Sequence, residues 1–87
     1  MYNYLVEFLG TILFGYVILA TGNPLAIGAI YAIIQLLTLG MVSGYLNPAI
    51  TVVLASAGVI SNVEVIFFIL AQVLGALVAL QIYQRLG

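Results

Sequence analysis

Apolar residues gather into three long runs, residues 4–20, 25–42 and 65–83, separated by short polar breaks. Each run falls in the range of roughly 17–25 residues that carries a helix across about 30 Å of hydrocarbon. Three membrane-spanning helices are therefore predicted. Thr21-Gly22-Asn23-Pro24 has the turn chemistry to join the first to the second, because proline cannot continue the first helix. Ser61-Asn62-Val63-Glu64 reads as a Ser-x-x-Glu capping box opening the third. The first run does not read as a signal peptide: it lacks a basic leader, carries Glu7, and is followed at once by the second run.

Between the second and third runs, residues 43–58 break the pattern. Gly44 and Pro48 interrupt the helix, yet residues 49–57 are apolar and suit another one. At 1.5 Å per residue it would reach roughly 14 Å, about half the bilayer core. Ile50, Val53, Leu54 and Ala57 give it an i, i+3, i+4, i+7 stripe to bury. An ordinary extramembrane loop would be more polar; from Pro48 to Ala57 only Thr51 and Ser56 carry hydroxyls, and nothing is charged. The segment reads as re-entrant. Irregular backbone at membrane depth must be buried by protein or hydrated, so residues 43–47 should line a cavity. Asn47 suits the N-cap and Pro48 the first helical position. The Asn47 amide could also donate to whatever fills the cavity.

Composition narrows the class. Of 87 residues, 67% are hydrophobic and 3% charged, and Glu7, Glu64 and Arg85 are the only charged side chains. A water-facing surface cannot be built from that, so the expected partner is a lipid bilayer. One Arg and no Lys exclude a nucleic-acid surface. Without His or Cys, the commonest metal ligands, the thiol nucleophile and the usual acid–base catalyst are missing. No enzyme, metal or cofactor is expected. Ala71, Gly75 and Ala79 form a small-residue row on the third run, Gly28, Ala32 and Gly40 one on the second, and Thr11 with Gly15 one on the first. Such rows suit helix packing in lipid. Tyr2, Tyr4 and Tyr83 read as interface anchors. A carboxylate within a membrane helix is functional by default, although Glu7 is close enough to the start of the chain to snorkel instead.

Asn47-Pro48-Ala49, with Ile50-Thr51 after it and Ser43-Gly44 before it, resembles the signature of the aquaporin, or major intrinsic protein, family. Glu7-Phe8-Leu9-Gly10-Thr11 resembles that family's first-helix motif, and Ala71-Gln72 with Gly75-Ala76 its third-helix motif. The motifs stand in the family's order and cover essentially the whole chain. The resemblance is to one repeat, the first of the family's two inverted repeats. It implies an all-α integral membrane fold of three spans and one re-entrant half-helix, a single unit over residues 1–87. It further implies a pore lined by Gly44, Tyr45, Asn47, Pro48, Ala49 and Ile50. The filter position on the second span is either Ile27 or Gly28, because the loop lacks the family's His and is one residue short. By the same resemblance, Glu7 would accept from the re-entrant backbone and Gln72 would brace that region. The arginine that follows the second repeat's motif is Ile50 here.

One such repeat cannot enclose a pore. The expected partner is an inverted second copy, possibly as four such pairs, together passing water or small neutral solutes. The Lys/Arg bias that fixes orientation is almost nil, as insertion both ways requires. Facing half-helix N-termini would oppose cations. The alternatives are a first-half subunit awaiting a separate second-repeat chain, a small ion-coupled subunit with Glu7 as its proton site, or a non-transporting membrane peptide.

Overall fold

Residues 2–39 and 45–86 are described by the computed structural model. They form helices α1 (Tyr2–Thr21), α2 (Pro24–Leu37), α3 (Pro48–Ser56) and α4 (Asn62–Leu86). The breaks between them follow local chemistry. Gly22, at φ +55, occupies the left-handed turn that ends α1, and its N–H donates to the Ile18 carbonyl. Asn23 caps α2, its Oδ1 accepting from the Leu25 and Ala26 amides at 2.8 and 3.1 Å, with Pro24 in the first turn. Before α4, Ser61 and Glu64 bond reciprocally: Glu64 Oε1 accepts from the Ser61 N–H at 3.1 Å, and Ser61 Oγ from the Glu64 N–H at 3.3 Å.

α2 ends sooner than the apolar run suggests. The helix closes at Leu37, where the Thr38 hydroxyl donates back to the Ile34 carbonyl at 2.8 Å. The remainder of the expected second span, residues 40–42, lies outside the described residues, as do Gly40, Ser43 and Gly44. α1 and α4 are long and apolar enough to cross a membrane, whereas the described part of α2 is shorter.

α1 and α4 run parallel and form the main contact. Tyr4 meets Phe68, Gly15 meets Ala79, and Tyr16 meets Tyr83 along their lengths. Gly75 sets the closest approach: a Cβ there would lie 2.6 Å from the Phe8 carbonyl oxygen and 2.9 Å from Thr11 Cβ. Ala71 and Ala79 are buried on the same face. Small side chains let the backbones meet where lipid supplies no hydrophobic drive. α2 folds back antiparallel on α1, with Phe14 against Tyr31.

Polar side chains share the interior with apolar ones such as Ile34, Leu46 and Phe68. Glu7, Thr11, Thr38, Thr51 and Gln72 are buried, while leucines at 5, 9, 13, 25, 36, 37, 70, 74 and 77 face outward. That arrangement suits a hydrocarbon surround and would be untenable in water.

Candidate functional site

The site is built where α1, α4 and the segment before α3 converge. Glu7 lies one turn before Thr11 on the α4-facing side of α1, and its side chain is fully buried. It does not snorkel. Its Oε2 accepts from the Tyr45 amide at 2.7 Å, and its Oε1 from the Leu46 amide at 2.8 Å and from Gln72 Nε2 at 3.0 Å. A carboxyl group buried in an apolar surround needs such donors. Gln72 Nε2 also donates to Thr51 Oγ1 at 2.7 Å, and Thr51 Oγ1 donates to the Asn47 carbonyl at 3.0 Å. One connected network thus joins α1, α4, the loop and the first turn of α3. Thr11 Oγ1 and Gln72 Oε1 are buried without a hydrogen-bond partner among the described residues.

Leu46 carries the strain. Its φ is +58, in the left-handed region that a leucine rarely adopts. The side chain is buried over Gly10, where an added Cβ would come within 2.7 Å of Leu46 Cδ2. With a Cβ at position 10 the Leu46 methyl would have to move aside. The Tyr45 ring packs on Phe68 with centroids 5.3 Å apart, and Phe68 is wholly buried.

Asn47 follows directly. It is the N-cap of α3, and its Oδ1 accepts from the Ala49 amide at 2.7 Å. The side chain is exposed, and no described residue accepts from its Nδ2. A donor pair therefore faces outward at the positive end of a helix. Pro48 and Ala49 are exposed beside it, with Ile50 and Tyr45 half-buried; Gly44 lies outside the described residues. On α2, Ile27 shares the inward face with Tyr31, Ile34 and Thr38, whereas Gly28 is exposed and an added Cβ there would meet nothing within 4 Å.

Sequence reasoning singled out Glu7, Gln72 and Asn47 but assigned no role to Thr51, Leu46 or Tyr31. Thr51 had a legible signal, a hydroxyl one helical turn beyond Asn47 in an otherwise apolar half-helix. Leu46 and Tyr31 had none, since each is an ordinary residue type for an apolar chain.

The model of the major intrinsic protein family matches residues 1–86. The chain belongs to that family. It is an integral membrane protein of helical fold, as the family and its apolar helices together show. Among curated relatives of this major intrinsic protein, glycerol uptake facilitator protein-like 6 of Lactiplantibacillus plantarum (strain ATCC BAA-793 / NCIMB 8826 / WCFS1) is 34% identical over 88 residues. The match takes in 91% of this chain but only 41% of that relative's length. No solved structure matches.

Proposed function

We propose that two copies of this chain, inserted antiparallel, form a membrane channel for water and small neutral solutes. The outward-facing Nδ2 of Asn47 carries the reading. Capping ties the amide's oxygen to Ala49 N, so only donors remain for a solute oxygen. On this reading α1, α2 and α4 belong to the three spans and α3 is a re-entrant half-helix. The lengths agree: Gln72, which meets Thr51, lies about 15 Å into α4, and the nine residues of α3 reach about 14 Å. The chain of α3 thus returns from mid-depth to the side where α4 begins.

That leaves the other half of the bilayer depth open below Asn47. An inverted copy fills it and brings a second Asn47 amide to the midplane. Ile27 and Tyr31 on α2, and Tyr45 and Ile50 on the loop and half-helix, then belong to the wall, with Glu7 and Gln72 holding the loop in place. The name of that relative, a glycerol uptake facilitator-like protein, makes glycerol the natural polyol to test alongside water.

A second version replaces the inverted copy with a distinct second-repeat partner carrying the filter arginine. Its support is the relative's length, of which this chain spans 41%. Purified chain in liposomes separates the two: osmotic shrinkage in a stopped-flow instrument accelerates for the homomeric pore, and stays at the lipid rate if a different partner is required.

A further inference from the structure

We propose that Tyr31 is a positioning residue of the solute path, holding the strained peptide that precedes Asn47 from the side opposite Glu7. The inference rests on the channel reading and adds to it a residue that no motif marks.

The peptide unit joining Tyr45 to Leu46 is gripped at both ends. Its N–H, that of Leu46, donates to Glu7 Oε1 at 2.8 Å. Its carbonyl, that of Tyr45, accepts from the Tyr31 hydroxyl at 3.1 Å. A trans peptide is planar, and its N–H and C=O point in opposite directions. Two anchors from two different helices, α1 and α2, therefore fix the rotation of this unit about the chain. Rotation is the motion that matters here, because Leu46 sits at φ +58. A non-glycine residue persists in that region only where its surroundings over-determine it. The N–H and carbonyl of a planar unit turn together, so any rotation must break both the Glu7 bond on one edge and the Tyr31 bond on the other.

Tyr31 is itself well placed to hold position. Its ring packs against Phe14 of α1 with centroids 5.3 Å apart. It lies one helical turn beyond Ile27 on the inward face of α2 and is half-buried, with its hydroxyl on the Tyr45 carbonyl. Asn47 is the residue after the strained one. A turn of the 45–46 unit redirects the Asn47 backbone and with it the outward Nδ2, so the hydroxyl of Tyr31 governs how the solute donor is presented.

Tyr31→Phe removes the hydroxyl and keeps the ring. The sequence supplies a specific probe: Tyr-Leu occurs twice, at 4–5 and 45–46. Chain labelled with carbonyl-13C tyrosine and 15N leucine therefore gives two correlated amide signals, Leu46 and an internal reference, Leu5 in α1. In Tyr31→Phe the Leu46 amide should exchange with solvent about fivefold faster relative to Leu5, the equivalent of about 1 kcal/mol. In liposomes the ratio of glycerol to water permeability should shift by about twofold or more, the rate equivalent of about 0.4 kcal/mol. Unchanged exchange at Leu46 overturns the clamp. Faster exchange with an unchanged permeability ratio overturns the positioning role and leaves the channel standing. A parent chain that conducts nothing overturns the channel reading, and this role with it, which the parent arm alone reveals.

Discussion

Gln72 Nε2 donates at once to Glu7 Oε1, at 3.0 Å, and to Thr51 Oγ1, at 2.7 Å. A single amide thereby ties the first helix to the half-helix through the last. The two motifs that stand 65 residues apart in sequence meet at this one group. Around it polar and apolar side chains share the interior while leucines cover the exterior. A buried hydrogen-bond network and close backbone packing help to hold the fold in a surround where lipid supplies no hydrophobic drive between helices.

Glu7 should be the most sensitive position for folding. Glu7→Ala leaves the Tyr45 and Leu46 amides and Gln72 Nε2 without their shared acceptor. Each stranded buried donor costs roughly 1–3 kcal/mol, so a loss of at least about 3 kcal/mol is expected in denaturant titration of the detergent-solubilised chain. Glu7→Gln keeps one acceptor oxygen and should lose less. Parent-like unfolding in both variants would refute the network as a source of stability.

Thr51→Val tests the other branch. It keeps the shape and removes the bonds to Gln72 and to the Asn47 carbonyl. A loss of about 1–3 kcal/mol is expected from the same titration. Thr51→Ser should recover most of it, because the hydroxyl returns.

Close packing at one glycine and open space at another predict opposite effects for Gly75 on α4 and Gly28 on α2. Gly75→Ala would place its Cβ 2.6 Å from the Phe8 carbonyl oxygen, which is backbone and cannot swing aside. The helices must separate, at about 1–3 kcal/mol. Gly28→Ala meets nothing within 4 Å. There the gain in helix propensity, up to about 1 kcal/mol, should dominate. Thermal melting of both variants checks the contrast, and a destabilised Gly28→Ala would show that α2 packs there against a partner.

Much of this was legible in the sequence because it is local. Three apolar runs, the Asn-Pro pairs at 23–24 and 47–48, and the Ser61–Glu64 box declare helix bodies and their starts through hydropathy and capping chemistry alone. The small residues at 71, 75 and 79 declared a packing face. What stayed hidden depends on backbone at long range. The amides that Glu7 accepts from lie 38 and 39 residues away, and any residue type supplies an amide. Leu46 in the left-handed region is set by its surroundings against its own preference. Tyr31 looks like one more aromatic in an apolar run until its hydroxyl is seen on the Tyr45 carbonyl. The end of α2 at Leu37 was masked by continued apolarity, which says nothing about where a threonine will bond back.

Antiparallel pairing makes a prediction about orientation. With one Arg and no Lys there is almost no bias to hold the chain one way round. Cysteines introduced as Tyr2→Cys and Gly87→Cys in separate chains should each label from both sides of a sealed vesicle. Adding two lysines at the N-terminus should fix the orientation and abolish flux, and a reversed partner should restore it. One-sided labelling of the unmodified orientation would rule out pairing with an inverted copy.

The central claim is that the outward amide of Asn47 serves a solute and is more than a helix cap. Asn47→Asp retains the capping oxygen and replaces the donors with negative charge; Asn47→Leu removes both, and a lost cap alone costs about 1 kcal/mol. Parent and variants are reconstituted in liposomes at matched protein density, and water permeability is read by stopped-flow light scattering, with proton leak measured in parallel. The account predicts fast water flux in the parent, folded Asn47→Asp protein with altered flux and a raised cation or proton leak, and loss of flux in Asn47→Leu. Water permeability equal to the parent's in both variants would contradict it.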